Sequence, residues 1–420
     1  MNDAAKRVGA RLGELIGQDS ISGLGVAVSG GGDSLALMLC AAAWARARGT
    51  PFRAVTVDHR LRPEAAQEAA TVARVAADHG IAHDTVEWHG WDGSGNVQDN
   101  ARRARFALIS VWAHRNEISH VCLGHTADDQ AETVLMRLAR GAGVDGLSAI
   151  PPRRVVEGVA FLRPMLDIAR DDLRAWLTAQ GQAWIDDPSN ENTRFDRIKA
   201  RRALDHLAPL GLDRDSLITV SRNMAEARKA LKWQTYLAAR ELAQMQAGDV
   251  LIARPGFRTL PQDIQRRLIA QALCWISGAA YPPRRRPLLE MVQAALQGRG
   301  MTLHGCQMLP DGPDQPIRLT REYNAVARLR CAVTQTWDGR WRFVGQATQA
   351  PLQIAALGEA GLAQCPDWRE SGLPHASMLG CPALWDGDTV VAAPLACRPE
   401  CWRQVLARNE EDFFAALMKG

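Results

Sequence analysis

The residues best equipped for chemistry form one hexapeptide, Ser29-Gly30-Gly31-Gly32-Asp33-Ser34. Three glycines let the backbone come close to a ligand and take dihedrals that side chains forbid. Two hydroxyls add donors, and Asp33 offers a carboxylate to a magnesium ion on a polyphosphate. The apolar run Leu24 to Val28 precedes the glycines with the length and branching of a buried strand. From Ser34 onward, Leu35, Leu39 and Ala42 fall on one helical stripe. Strand, glycine turn and helix start together build an anion site, because first-turn amides and the helix dipole both face negative charge. No Gly-Lys-Ser or Gly-Lys-Thr follows, so this is not a Walker A loop, and it is not the dinucleotide fingerprint either. A plain glycine-rich connection would explain the glycines alone, but not their flanking serines and aspartate.

Four further stretches carry polar groups at suggestive spacing. In Gly124-His125-Thr126-Ala127-Asp128-Asp129-Gln130-Ala131-Glu132-Thr133, Asp128 and Glu132 are four apart and share a helix face. Acidic residues in a first turn also cap a helix and complement its dipole. Magnesium coordination and capture of an ammonium group are the chemical alternatives for His125, Asp128, Asp129 and Glu132. Arg102 and Arg105 are three apart within Asn100 to Phe106 and suit either a solvated face or a phosphate clamp. Asp58 and His59 follow a strand-like run and either cap a helix starting at Pro63 or touch a nucleotide. Arg194, Arg197, Lys199, Arg201 and Arg202 crowd a short segment after the turn-rich Asp186 to Asn190, and fit a solvated face or a phosphate backbone.

The elements that must position these groups repeat one unit. Strand-like runs at Leu24–Val28, Arg53–Val57, Asp84–Trp88 and His120–Leu123 recur roughly every thirty residues, the length of a strand–helix–strand unit. Helical patterns lie between them at 34–48, 63–79 and 97–114, and a fourth follows at 127–140. The third predicts Val97, Ala101, Ala104, Leu108 and Val111 on its buried face, and the fourth buries Ala131, Val134, Leu135 and Leu138. A further strand is expected at Val159–Leu162. Alternation of this kind means an α/β fold with a doubly wound, mostly parallel sheet. Right-handed crossovers then bring the glycine loop, Asp58-His59 and Gly124-His125 to one rim, where such sheets bind ligands.

Beyond this the pattern is helical through 217–242, 262–276 and 284–296, with a second basic spot at Arg284-Arg285-Arg286. After Met301, Asp-Gly pairs at 311, 338 and 386 signal hairpins. The expected domains are 1–211 catalytic, 212–300 helical and 301–420 β-rich. A chain of 420 residues, 47% hydrophobic and 23% charged, reads as a globular enzyme of several domains. No run reaches the length of a membrane span and no secretory leader is evident. Nine dispersed cysteines without a Cys-x-x-Cys pair suggest reduced thiols and a cytoplasmic address. The net charge of only +4 excludes a global polycation.

The hexapeptide resembles the pyrophosphatase loop of the N-type ATP pyrophosphatases, the PP-loop superfamily. Taken together, six motifs resemble those of the tRNA(Ile)-lysidine synthetase family: Ser29 to Ser34, Val57 to Arg62, Asn100 to Phe106, Gly124 to Thr133, Arg163-Pro164-Met165-Leu166, and Asp187-Pro188-Ser189-Asn190 leading to Arg197. Arg60 stands where that family's loop usually carries glycine, Gly124 where it often has histidine, and Ile198 where it often has asparagine. The resemblance implies ATP-dependent ligation of free L-lysine to C2 of the wobble cytidine of tRNA(Ile), through an adenylated cytidine. It implies ATP at Ser29, Gly30, Gly31, Gly32, Asp33, Ser34, Asp58 and His59, with Mg2+ on Asp33 and Asp128. It implies catalytic roles for Asp33, Arg102, His125, Asp128, Asp129 and Glu132, with tRNA on Arg194, Arg197, Lys199, Arg201, Arg202 and the helical domain. A homodimer is compatible with it.

The nearest alternative is another tRNA-modifying member of that superfamily, such as a tRNA thiolase. Sulfur transfer would want a reactive cysteine pair near the site, and Cys122 alone lies near the rim. Amidotransferase-type synthetases would need a glutaminase domain, and none fits the remaining chain. A regulatory nucleotide-binding module would tolerate loss of Asp33, whereas an enzyme would not.

Overall fold

The computed structural model describes residues 3–60, 65–89, 97–185, 196–310, 312, 315–345, 351–399 and 401–418. Two compact units result, residues 1–228 and 229–419.

The first unit contains α1 (Asp3–Ile16), β1 (Leu24–Ala27), α2 (Gly32–Arg46), β2 (Phe52–Asp58), α3 (Ala65–Asp78), β3 (Ala82–Glu87) and α4 (Val97–Arg115). Next come β4 (His120–Leu123), α5 (Ala127–Leu138), α6 (Val144–Leu147), β5 (Arg153–Val156), β6 (Val159–Leu162), α7 (Arg170–Ala179) and α8 (Asp196–Leu207). The long helix α9 (Arg214–Leu242) begins here and contains the division between the units. Six strands form one sheet in the order β3-β2-β1-β4-β6-β5. All neighbours are parallel except β5, which returns antiparallel beside β6. The expected doubly wound, mostly parallel sheet is therefore present. From β1 the chain steps outward to β2 and β3, then returns to place β4 on the other side of β1. Strand order reverses between β1 and β4, and ligands of such sheets sit at the carboxyl ends of that pair.

Helices cover both faces. On one, Val8 and Leu12 of α1, Leu35 and Met38 of α2, Val72 of α3 and Leu173 of α7 join Leu24, Val26 and Leu162 of the sheet. On the other, Ile109, Trp112 and Ala113 of α4 meet Val55, Val121 and Phe161. The α4 stripe differs from the one the periodicity predicts, since Val111 is 45% exposed. Trp112 decides the phase: its ring fills the space beside Gly25, and its indole Nε1–H donates to Asp84 Oδ2 at 2.8 Å. Leu138, expected in the core, is also exposed. Helices α1 and α7 and strand β5 were not expected from sequence.

Arg60 explains the glycine usual at its position. Its φ is +52°, in the left-handed region, and its guanidinium reaches Glu87 at 3.3 Å. Leu61, Arg62 and Pro63 lie outside the described residues.

The second unit opens with β7 (Ala243–Gln246) and β8 (Asp249–Ile252), two strands that the sequence did not signal. Then follow α10 (Arg254–Thr259), α11 (Gln262–Ser277), α12 (Arg285–Gln297), β9 (Met301–Leu303), β10 (Cys306–Met308) and β11 (Ile317–Arg321). Its five-stranded sheet, ordered β7-β8-β11-β10-β9, shares a core with α11 and α12 built on Leu268, Ile276, Met291 and Ile317. The remaining strands form a four-stranded sheet and a separate pair. Turns with left-handed backbone at both central residues occur at Ala247-Gly248, His304-Gly305 and Asp338-Gly339. The Asp386-Gly387 pair joins two antiparallel strands, as its composition predicts.

Candidate active site

The glycine loop leaves β1 and becomes the first turn of α2. Gly31 is the N-cap, with extended backbone (φ −68°, ψ 156°) and no side-chain hydrogen bond onto the helix. The first amides of a helix have no intrahelical acceptor, so α2 presents uncapped donors at the reversal of strand order. Ser34 braces the loop from within: its hydroxyl donates to Gly31 O at 2.9 Å and accepts from the Ser29 amide at 3.2 Å. Two glycines mark close approaches. Gly30 has φ +90°, and a Cβ there would lie 2.8 Å from Ile185 Cδ1. A Cβ on Gly124, at the end of β4, would lie 3.1 Å from Ser34 Cα, so the two loops of the crevice pack backbone to backbone.

Beside this loop stands a cluster of four carboxylates and four guanidiniums. Arg170, the first residue of α7, is at its centre. Its Nε donates to Asp33 Oδ2 at 2.9 Å, and its other nitrogens lie 3.7 Å from Asp129 Oδ1 and 3.8 Å from Glu132 Oε1. Burial works against the charge of Arg170, but Asp33, Asp129 and Glu132 outweigh it and hold the guanidinium firmly protonated. Arg201 of α8 meets Glu132 Oε1 at 2.9 Å, Arg197 lies 3.5 Å from Asp129 Oδ1, and Arg214 lies 4.0 Å from Asp128 Oδ1. Sequence reasoning missed Arg170. It opens a helix that the sequence pattern does not announce and meets Asp33 across 137 positions, so no local signal pointed to it.

Capping and chemistry divide between single oxygens. Asp129 Oδ2 accepts the Thr126 amide at 2.8 Å in a capping box, while its Oδ1 faces Arg170 and Arg197. Asp128 Oδ2 accepts the backbone N–H of Arg170 at 2.8 Å, so it fixes the start of α7. The route of the chain brings this about: Ala127 N donates to Ile168 O, and Thr126 bridges Met165, which lays the Arg163 to Leu166 motif against the start of α5.

Burial pushes the Asp33 carboxyl up from its ordinary range, Asp129 adds to this, and Arg170 opposes it. Asp33 Oδ1 is buried with no hydrogen-bond partner among the described residues. Burial also pushes the Glu132 carboxyl up, against the pull of Arg201. Among the described residues no group of three or more His, Cys, Asp or Glu side chains is placed to hold a metal. A magnesium ion held mainly by nucleotide phosphates needs only one or two carboxylates, and the orphaned oxygen of Asp33 fits that donor set.

Asp58 closes β2 and accepts the Arg60 amide at 2.7 Å, an Asx turn that shapes its loop. His59 packs edge-on to Trp88, and its Nε2 lies 3.4 Å from Arg105 Nη2. Burial, then Arg105, push the His59 imidazole down, so it is neutral near pH 7. His125 is half-buried at the end of β4. The Arg102 side chain, Arg194 and the Asp187 to Asn190 turn lie outside the described residues. Of the basic segment, Arg197 and Arg201 reach the acidic cluster, Lys199 lies 3.7 Å from Asp196, and Arg202 is exposed. Cys122 and Cys40 are buried and their thiols are pushed up to about 12.

A family described as a PP-loop domain matches residues 4–207. The tRNA(Ile)-lysidine synthase of Ruegeria pomeroyi is 51% identical over 396 residues, covering 94% of this chain and 94% of that protein. The tRNA(Ile)-lysidine synthase of Rhodopseudomonas palustris is 44% identical over 255 residues, 59% of this chain and 73% of its own. That of Hyphomonas neptunium is 38% identical over 313 residues, 71% of this chain and 82% of its own. A relative this similar over nearly the whole of both chains settles membership: the protein belongs to the tRNA(Ile)-lysidine synthase family, ligases of the PP-loop type that use ATP to modify tRNA.

Proposed function

We propose that the protein joins free L-lysine to C2 of the wobble cytidine of tRNA(Ile) in two steps. In the first, the C2 carbonyl oxygen of cytidine attacks the α-phosphorus of ATP, and pyrophosphate leaves. In the second, the ε-amine of lysine attacks C2, the bond to the adenylate oxygen breaks, AMP leaves, and the amine loses a proton. The observation that carries this reading is the uncapped start of α2 at the reversal of strand order, facing the acidic cluster on α5.

The amides of the glycine loop take the phosphate tail, and departing pyrophosphate keeps these donors as its charge develops. Mg2+, held by Asp33 with Asp128 Oδ1 beside the cluster, would supply further charge neutralisation when bound. Neutral His59 and Asp58 shape the neighbouring loop on the nucleotide side. Arg102 and Arg105 lie on the helix whose start faces this rim and offer positive charge to the adenylated base.

The cluster is formally balanced, four carboxylates against four guanidiniums, so an incoming ammonium needs a carboxylate that can exchange partners. With Asp33 and Asp128 given to Mg2+ in this reading, Asp129 Oδ1 is the looser of the remaining two, at 3.5 and 3.7 Å from its arginines. Glu132 Oε1, by contrast, is gripped by Arg201 at 2.9 Å. We therefore assign the lysine ammonium to Asp129, with His125 beside the reacting base. A tRNA loop gives up a stacked base cheaply, which lets the cytidine reach this rim. The helical and β-rich parts beyond residue 211 hold the rest of the tRNA in this reading. No helix among the described residues is long and apolar enough to cross a membrane, and a tRNA substrate places the work in the cytoplasm.

Thiolation is the weaker reading, because thiols pushed up to about 12 at Cys122 and Cys40 are poor nucleophiles at neutral pH. The decisive test mixes the protein with ATP, radiolabelled lysine and unmodified tRNA(Ile). Label in the RNA, with AMP and pyrophosphate released in equal amounts, is the expected result. RNA that stays unlabelled while ATP is consumed would defeat the proposal.

A further inference from the structure

A short strap after α7, Gln182 to Ile185, presses on the glycine loop. The Ile185 N–H donates to Gly30 O at 3.1 Å. Its side chain lies 2.8 Å from where a Cβ on Gly30 would stand, and the Trp184 ring lies 3.4 Å from the same point on Gly32. Two consecutive strap residues thus meet two of the three glycines. The strap has its own footing. The Gln182 N–H donates to Leu177 O at 3.0 Å. Ala183, Trp184 and Ile185 line a small apolar recess of about 90 Å³ with Leu35 of α2 and Val72 and Val75 of α3.

The peptide between Gly30 and Gly31 is the part that needs holding. A planar trans peptide points its C=O and N–H in opposite directions, so the direction of Gly30 O fixes that of the Gly31 N–H. Turning this peptide over changes ψ of Gly30 and φ of Gly31 together. Between residues with side chains, sterics would oppose one of the two orientations; between two glycines neither is forbidden. Gly31, at φ −68°, caps α2, and its N–H meets no acceptor among the described residues. Among those residues, the Ile185 N–H is the one donor to Gly30 O.

Resting on the reading that the phosphate tail of ATP lies on this loop, we infer that Ile185 is a positioning residue for the reaction: its backbone N–H pins Gly30 O to the strap and so aims the Gly31 N–H at the phosphates. The flipped peptide would set a carbonyl oxygen against them, whereas an anion is held by successive N–H groups. The nucleoside half of ATP carries no charge for this peptide to meet, so the effect is confined to the tail.

The test replaces the amide at residue 185 of the full-length protein by an ester, through incorporation of the α-hydroxy analogue of isoleucine. This removes the N–H and keeps every side chain. Affinity for α,β-methylene ATP with Mg2+ should fall roughly ten- to a hundredfold, the worth of one hydrogen bond to a charged group, while affinity for adenosine keeps its wild-type value. An ester at residue 31, which deletes the aimed N–H itself, should lose as much. Ile185→Ala keeps the donor and should lose less than either. If the residue 31 ester lost affinity for the analogue and the residue 185 ester did not, the inference would fall while the tail stayed on the loop. If neither lost affinity, the placing of the tail would fall with it. Equal losses for the analogue and adenosine would also overturn the inference, since general damage to the site behaves that way. So would an Ile185→Ala loss as large as that of the ester, which would assign the hold to the side chain. These affinities are measured without tRNA or lysine, so they stand or fall separately from lysine incorporation into the RNA.

Discussion

Arg170 shows what a single residue contributes here and why its role was hard to foresee. It is 15% exposed at the side chain and serves three carboxylates from two helices. Removing one member of a buried ion cluster leaves the others uncompensated, so Arg170→Gln should cost about 3 kcal/mol in chemical denaturation. Arg170→Lys should recover little, because an ammonium cannot reproduce the fork. Asp33→Ala should leave the fold intact and abolish pyrophosphate release; retained turnover would count against the mechanism. Glu132 carries a pH signature. Its carboxyl, 1% exposed, is pushed up by burial, with Asp129 acting the same way and Arg201 and Arg170 against it. A group whose pKa is raised on folding contributes stability that is complete below its unfolded value and is lost as pH climbs through the folded one. Wild type should therefore lose stability relative to Glu132→Gln as pH rises from the ordinary 4.5 upward, followed by urea titrations at several pH values. The acidic motif itself was legible, because its spacing is local. Arg170 was not, because it meets Asp33 across 137 positions and belongs to no repeating pattern.

At the scale of elements, apolar runs and glycine punctuation revealed the parallel strands and the helices between them. What they missed has physical reasons. Strand β5 is an edge strand with only one neighbour, and its Val155 is 59% exposed, so it shows no buried run. The phase of α4 was set by one large ring and its hydrogen bond to Asp84, which periodicity cannot weigh. The glycine loop offers a test of element packing. Gly30→Ala meets both an unfavourable φ and the Ile185 side chain, so it should cost about 2 to 3 kcal/mol and raise the KM for ATP. In an Ile185→Ala background the steric part should vanish while the backbone part, about 1 kcal/mol, persists. Equal costs in the two backgrounds would show that Ile185 yields freely. Arg60→Gly should do the reverse in its own loop, gaining up to about 1 kcal/mol by relieving the left-handed arginine. A loss instead would credit the Glu87 pair.

For the whole molecule the question is where the positive charge that meets RNA resides, since the net charge is only +4. The basic segment that opens α8 was the obvious candidate from composition, yet most of its charge is used internally. Arg197 faces Asp129, Lys199 faces Asp196, and Arg201 holds Glu132. Arg202 is exposed and has no acidic partner among the described residues. Two neighbouring arginines should then fail in different ways. Arg202→Gln should flatten the salt dependence of tRNA binding by about 0.7 to 0.9 and leave kcat near its wild-type value. Arg201→Gln should leave that slope unchanged and lower kcat by roughly ten- to a hundredfold, because it frees a buried carboxylate beside the site proposed for lysine and nucleotide. Lysine incorporation measured at saturating tRNA, alongside binding across salt concentrations, separates the two. If Arg201→Gln flattened the slope and spared kcat, α8 would be an RNA-facing surface after all, and the acidic cluster would not depend on it.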